Sequence, residues 1–375
     1  MTEGVAEILS GRSICVCAGS GGVGKTTTAA AIATGMAAQG LKVAVLTIDP
    51  ARRLANSLGL PELGNEERRV DPAVLEAAGL GGDGELWALM LDAKRTFDEL
   101  VERHAPDERS RDAILANRVY QELSNAVAGS QEYMAMEKLY ELHHEQRYDL
   151  LVLDTPPTRN ALDFLDAPER LSRFVDSRSL QFFLKPSRTG LRLLGRSTGL
   201  MFSVLKRVTG VDMLQDLSEF FQSFGDMAEG FSERARRVNE MLADPRTVFF
   251  VVTSPRGAAV DEAVFFHRRL RERHMPSGGV IVNRMTMIED PGDDDVEDDL
   301  AALLGEGLGR KVARNFDDYR DIARGDRANL ERLERELGRD PMILVPHLED
   351  DVHDAAGLAR MNEYLFAERG SRVPA

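Results

Sequence analysis

Two cysteines in 375 residues, Cys15 and Cys17, are too few for a disulfide framework or a thiolate metal cage. They stand two apart in an apolar run, where both face the same side of a strand and find no partner nearby in sequence. Long apolar runs are also missing: no stretch reaches the roughly 18 apolar residues needed to span a bilayer. The opening residues Met1 to Gly11 contain Glu3 and Glu7 and no apolar leader core. Basic residues are in deficit, 47 Lys and Arg against 62 Asp and Glu, and the net charge of -15 repels nucleic acid and anionic lipid on average. What remains, with 43% hydrophobic and 29% charged residues, is neither a disordered acidic tail nor a channel. These features imply a soluble globular chain, with the cytoplasm as its default location and no nucleic-acid partner.

Apolar runs bounded by polar or Gly-rich turns recur at Ser13–Ala18, Lys42–Ile48, Leu86–Leu91, Asp149–Leu153, Val248–Thr253, Gly279–Val282 and Met342–Val345. They are continuous rather than alternating, the pattern of parallel strands covered on both faces. Helical-period segments such as Thr26–Gln39 and Val260–His274 separate them. The alternation predicts an α/β fold: a doubly wound, mostly parallel sheet with an inserted α-helical subdomain. Within a single domain over 1–375, the expected nucleotide-binding core is about 11–92, 147–165, 246–288 and 340–368, and the helical subdomain about 93–146 and 166–245. The run Glu289–Asp299, eleven residues of which eight are acidic, reads as a solvated loop extended by like-charge repulsion.

Gly19, Ser20, Gly21, Gly22, Val23, Gly24, Lys25 and Thr26 fit GxxxxGK[ST], between a strand and a helix-forming segment. Glycines let backbone N–H groups curl around a triphosphate, and the following helix adds its dipole. Lys25 would bridge the β- and γ-phosphates, the Thr26 hydroxyl would ligate Mg²⁺, and Thr27 would approach the α-phosphate. Downstream, the apolar strand ending at Asp154 supplies a carboxylate for the Mg²⁺ hydration shell, and Thr155, Pro156 and Pro157 follow where a nucleotide-sensing switch would sit. Asp154 alone would equally suit a turn or N-cap. The second strand leads to Asp49, Pro50, Ala51, Arg52 and Arg53, near the phosphates because parallel sheets place ligands at their carboxyl ends. Asp49 is the candidate to orient, or take a proton from, the attacking water; it also suits the N-cap of a helix starting at Pro50.

The Gly-rich loop with Thr26 and Thr27, the turn Asp49-Pro50-Ala51 and the segment Asp154-Thr155-Pro156-Pro157-Thr158 together resemble the arsenite-pump ATPase family, which includes the ATPase that guides tail-anchored membrane proteins. The resemblance covers nearly the whole chain. It implies an ATP-hydrolysing dimeric switch using ATP and Mg²⁺, with Asp49 the catalytic acid of the first switch and Asp154 the metal-side acid of the second. It further implies that Asn283 contacts adenine, with Pro346 beside it.

The departures from that family are informative. Its members usually carry, one residue after the first loop glycine, a lysine that reaches the partner subunit's nucleotide; here that residue is Ser20. A heterodimer with a lysine-bearing paralogous ATPase would restore the charge, or Arg52, Arg53 or Arg159 would substitute in a homodimer. The zinc-binding CxxC of the targeting branch is absent, and Cys15 and Cys17 fall in the first strand, which argues against zinc and against arsenite. From Arg173 to Arg207, eight basic residues stand against Asp176 alone, interleaved with apolar residues including Phe182, Leu191, Leu194, Met201 and Phe202. Such a segment would cover a hydrophobic client, lie transiently on an anionic membrane or dock a partner; a core-packing helix pair with a basic face is the simpler reading. Met134 and Met136 read as core. Two competing functions remain: a nucleotide-binding scaffold with little hydrolysis of its own, marked by Ser20, and a partitioning-type positioning ATPase, against which the long helical insertions argue.

Overall fold

The computed structural model describes residues 4–49, 52–118, 120–121, 130–156, 165–167, 230, 233–288 and 296–367. The chain divides into two compact units: one comprises Met1–Met90, Glu145–Ala161 and Ala243–Ala375, the other Leu91–His144 and Leu162–Leu242.

The first unit holds β1 (Ile14–Ala18), β2 (Lys42–Thr47), β3 (Arg68–Arg69), β4 (Glu85–Met90), β5 (Leu150–Asp154), β6 (Thr247–Thr253), β7 (Ser277–Met285) and β8 (Met342–Pro346). They form one sheet in the order β3-β4-β2-β5-β1-β6-β7-β8. Every neighbouring pair is parallel except β3 with β4. The seven longer strands occupy the apolar runs of the sequence. Every residue of β1, β5 and β6 is buried, as expected of strands covered on both faces. Burying a side chain such as Phe249 or Phe250 there contributes about 1.5–3 kcal/mol. The edge strand β3 has no such signature; its two arginines are exposed and it rests on antiparallel pairing with β4.

The strand order places the ligand crevice. From β1 the chain passes to β2, on to β3 and β4 at one edge, and back to β5 between β2 and β1, then crosses to β6, β7 and β8 on the other side. The winding reverses at β1, so the crevice opens beyond its carboxyl end, where the Gly-rich loop begins. The helix after that loop, Lys25–Ala38, is lined by small side chains and buried along most of its length. Small residues let it lie close between the sheet and the helix Ala355–Leu365. At Gly35 a Cβ would come within 2.2 Å of the Phe366 ring, and Asn362 Nδ2 donates to Thr34 Oγ1 at 3.2 Å.

One expectation is corrected here. The acidic run does not extend as a loop to Asp299: a helix begins at Val296 and runs to Leu304, and residues 289–295 lie outside the described part. Helical backbone hydrogen bonds outweigh the charge repulsion there. Beyond Gly305, the helix Glu306–Leu337 extends for 32 residues, about 48 Å. It lies along the helix Gly257–Glu272 through Arg332 to Asp261 at 2.5 Å and Arg268 to Glu336 at 2.5 Å. The helix start expected at Pro50 lies outside the described residues. The described helix is Arg53–Ser57 with Arg52 at its N-cap, so Asp49 stands too far upstream to cap it.

The second unit contains the helices Ala93–His104, Glu108–Ala116 and Ser130–Glu145, the last ending just across its boundary, and a helix over 233–243. Met134 and Met136 are buried in it. Its best-defined polar contact is Glu137, 1% exposed, which accepts from Arg234 Nη2 at 2.5 Å and from the Tyr133 hydroxyl at 2.6 Å. Arg234 Nη1 also meets His104 Nε2 at 3.0 Å; burial, then the neighbouring Arg234 charge, lowers the His104 pKa, so the ring is neutral and Nε2 accepts. No helix among the described residues is long and apolar enough to cross a membrane.

Candidate nucleotide site

The loop between β1 and the helix Lys25–Ala38 carries Gly22 at φ +80° and Gly24 at φ +95°, backbone that side chains rarely tolerate. At Gly24 there is also no room, since a Cβ would lie 2.3 Å from Asn283 Nδ2. Gly24→Ala therefore displaces the loop; a misplacement of about 1 Å is worth on the order of 100-fold. We expect a loss of nucleotide affinity and turnover of that size, measurable by equilibrium binding of a fluorescent ATP analogue and by phosphate release.

Lys25 is 6% exposed and folds back over the loop, donating from Nζ to the Ser20 carbonyl at 2.9 Å. Burial lowers its pKa, opposed by the nearby charges of Asp154 and Asp49. A desolvated ammonium held at a neutral carbonyl gains strongly when an anion arrives. Thr28 fixes the start of the helix, its backbone N–H and Oγ1 donating to the Gly24 carbonyl at 2.8 and 2.9 Å. Thr27 is half-buried in the same turn.

Asp154 is the electrostatic centre of the site. Pairing in register with Cys17 of β1 and Thr47 of β2, it ends β5 with no exposure. Its Oδ2 accepts from Thr26 Oγ1 at 2.6 Å and Thr47 Oγ1 at 2.8 Å. Its Oδ1 is buried without a partner. Burial pushes its pKa up to about 6, opposed by the two hydroxyl hydrogen bonds and the Lys25 charge. A buried, unpartnered carboxylate oxygen is costly in isolation and marks a place for a cation. Carboxylate plus hydroxyl is the hard oxygen set that Mg²⁺ takes alongside waters, so the residues fit the metal.

Thr47 does more than the sequence reading allowed. Besides bonding Asp154, its hydroxyl accepts from the Asp49 backbone N–H at 3.1 Å, linking the two acids. Its only sequence signal is a hydroxyl at the last position of β2, which acquires meaning through register. Thr155 closes the same level, donating from its N–H and Oγ1 to the Cys17 carbonyl at 3.2 and 2.9 Å. Asp49 is half-buried, and Arg52 and Arg53 are exposed.

From the other side, β7 reaches the loop. Asn283 Nδ2 donates to the Val23 carbonyl at 2.9 Å and its Oδ1 accepts from the Arg284 N–H at 3.0 Å. In this state Asn283 therefore braces the phosphate loop, and an adenine contact would require its amide to exchange partners. Pro346 ends β8 opposite Met285. The structure thus assembles Gly19, Ser20, Gly21, Gly22, Val23, Gly24, Lys25, Thr26, Thr47, Asp154 and Asn283 around one loop. Pro156 follows Thr155 within the described chain, whereas Pro50, Pro157, Arg159, Phe182, Leu191, Leu194, Met201 and Phe202 lie outside it.

With this geometry in place, comparison with known proteins is informative. The model of a family described as anion-transporting ATPase matches residues 12–299. A putative arsenical pump-driving ATPase of Halobacterium salinarum is 33% identical over 172 residues, 46% of this chain and 26% of that protein. The ATPase GET3 of Malassezia globosa is 27% identical over 235 residues, 63% of this chain and 61% of that protein. The ATPase GET3 of Podospora anserina is 24% identical over 297 residues, 78% and 79% of the two chains. The chain therefore spans about a quarter of the haloarchaeal protein and under two thirds of the Malassezia one.

Proposed function

The chain belongs to the anion-transporting ATPase family, and from that premise we propose that it is an Mg²⁺-dependent ATPase whose nucleotide state drives a conformational switch. The observation that carries this reading is the unpartnered buried Oδ1 of Asp154 beside Thr26 and Lys25 on a phosphate-binding loop. The loop amides hold the phosphates of ATP and Lys25 exchanges the Ser20 carbonyl for phosphate oxygens. The Thr26 hydroxyl and the Asp154 carboxylate would hold Mg²⁺, which would supply charge neutralisation on the phosphates. Asp49 orients a water in line with the γ-phosphorus and takes its proton; the water oxygen bonds to phosphorus as the bond to the β,γ-bridging oxygen breaks, leaving ADP and phosphate.

Asp49→Asn tests the assignment. Losing a general base typically costs on the order of 100-fold or more in turnover, whereas the amide preserves shape and leaves ATP affinity within about threefold. Turnover equal to the parent's would refute the role.

The wider reading is that this ATPase acts as a dimer that couples nucleotide state to a helical subdomain binding a hydrophobic client or partner. Support comes from the basic, apolar segment Arg173–Arg207 and from the similarity to ATPases named GET3. Ser20 favours a heterodimer, because the loop lacks the cation that would cross to a partner's nucleotide. Mixing with a lysine-bearing paralogue should then raise phosphate release; a rate unchanged by the paralogue would remove the heterodimer. A scaffold subunit with little hydrolysis of its own is the second reading that Ser20 supports.

A further inference from the structure

Three non-glycine residues among the described ones have left-handed backbone: Gln146, His274 and Arg284, at φ +53°, +55° and +61°. Gln146 directly follows the helix Ser130–Glu145 and His274 follows the C-cap Arg273 of the helix Gly257–Glu272, where a left-handed residue is a routine way to end the last turn. Arg284 is different because it lies inside β7, at an irregularity in the pairing with β8 between Val282 and Met285. Bulges of this kind re-aim a side chain, and glycine is the residue that ordinarily takes the left-handed position. Here an arginine holds it against its conformational preference.

The re-aimed side chain reaches the phosphate loop. Arg284 Nη1 donates to the Gly22 carbonyl at 3.3 Å, while the Arg284 backbone N–H is held by Asn283 Oδ1 at 3.0 Å. The residue is exposed, and among the described residues its guanidinium has no carboxylate partner. A long bond to a neutral carbonyl is a weak use of a group that makes bidentate, charge-assisted bonds to phosphate. Two residues from Gly22, at Ser20, the loop carries no cation of its own.

We propose that Arg284 is a nucleotide-binding residue, its guanidinium exchanging the Gly22 carbonyl for the terminal phosphate oxygens of ATP held by the same loop. The inference rests on reading the loop as an ATP site. It supplies in cis a positive charge that Ser20 does not, and it discriminates ATP from ADP because the triphosphate carries the additional charge that a loop-edge cation meets.

Arg284→Gly isolates the guanidinium from the backbone, since glycine adopts this φ without penalty. We expect ATP affinity to fall about tenfold, ADP affinity to fall less than threefold, and the unfolding midpoint of the nucleotide-free protein to hold or rise. Arg284→Lys should recover part of the ATP affinity through charge alone. ATP affinity within twofold of the parent's, or an equal loss for ATP and ADP, would overturn the proposal. A parent chain that binds no Mg·ATP would instead refute the underlying reading of the loop.

Discussion

Replacing Asp154 with asparagine makes the nucleotide-free protein about 3 kcal/mol more stable at pH 7.5 while cutting its Mg²⁺-dependent turnover on the order of 10- to 100-fold. The stabilisation follows from the carboxyl pKa, raised from 3.8 to about 6 chiefly by burial. A folded state that holds the proton more tightly than the unfolded chain loses stability as pH rises through the window from 3.8 to about 6. Asparagine does not titrate, so its advantage is complete above that window, about half as large at pH 5, and vanishes below pH 3.8. Denaturant titrations of both proteins at pH 5 and pH 7.5, without nucleotide or metal, read the difference directly. An advantage independent of pH would show that the charge at Asp154 is not the source. Function moves the other way: the amide keeps partners for Thr26 and Thr47 but offers no charge to a divalent cation. Loss of one metal-side group costs on the order of 10- to 100-fold in metal affinity, so phosphate release at fixed Mg²⁺ falls accordingly.

In the helical unit the largest expected effect is at Arg234. Its guanidinium donates to both oxygens of Glu137, from Nη2 at 2.5 Å and from Nε at 3.2 and 3.1 Å, and Glu137 is 1% exposed. Arg234→Ala leaves that carboxylate buried with only the Tyr133 hydroxyl as a described donor. Breaking a buried pair on one side costs about 3–5 kcal/mol, because the orphaned charge stays desolvated. Chemical denaturation of the full chain should show the loss. Neutralising both partners, Arg234→Met with Glu137→Gln, should recover most of it while keeping an acceptor for Tyr133. A double variant as unstable as Arg234→Ala would mean that packing of the arginine stem, not charge, dominates there.

How far the sequence foretold this arrangement depends on what each element contacts. Strands buried on both faces must be continuously apolar, and the less buried β4 and β8 still carry apolar runs, so seven of the eight could be read directly. The eighth, Arg68–Arg69, has exposed side chains and exists through pairing with β4, information that no local pattern carries. The phosphate loop was legible because Gly22 and Gly24 need left-handed backbone and Lys25 and Thr26 must follow at fixed spacing. Thr47 was not, since its hydroxyl matters only once β2 and β5 align it with Asp154. Arg284 was hidden for a related reason: in a regular strand it would point elsewhere, and the bulge beside β8 turns it to the loop. Among the described residues the helix that follows Asp49 begins at Arg53, with Arg52 at its N-cap and no side-chain cap bond, a start that no capping residue announces.

The central claim, that this chain hydrolyses ATP at the loop between β1 and the helix Lys25–Ala38, is tested most directly by phosphate release from the full chain at saturating ATP, with and without Mg²⁺. The account predicts Mg²⁺-dependent release that Asp49→Asn removes without loss of ATP binding. Bound ATP with no release, whether the chain is alone or mixed with a lysine-bearing paralogue, would contradict it.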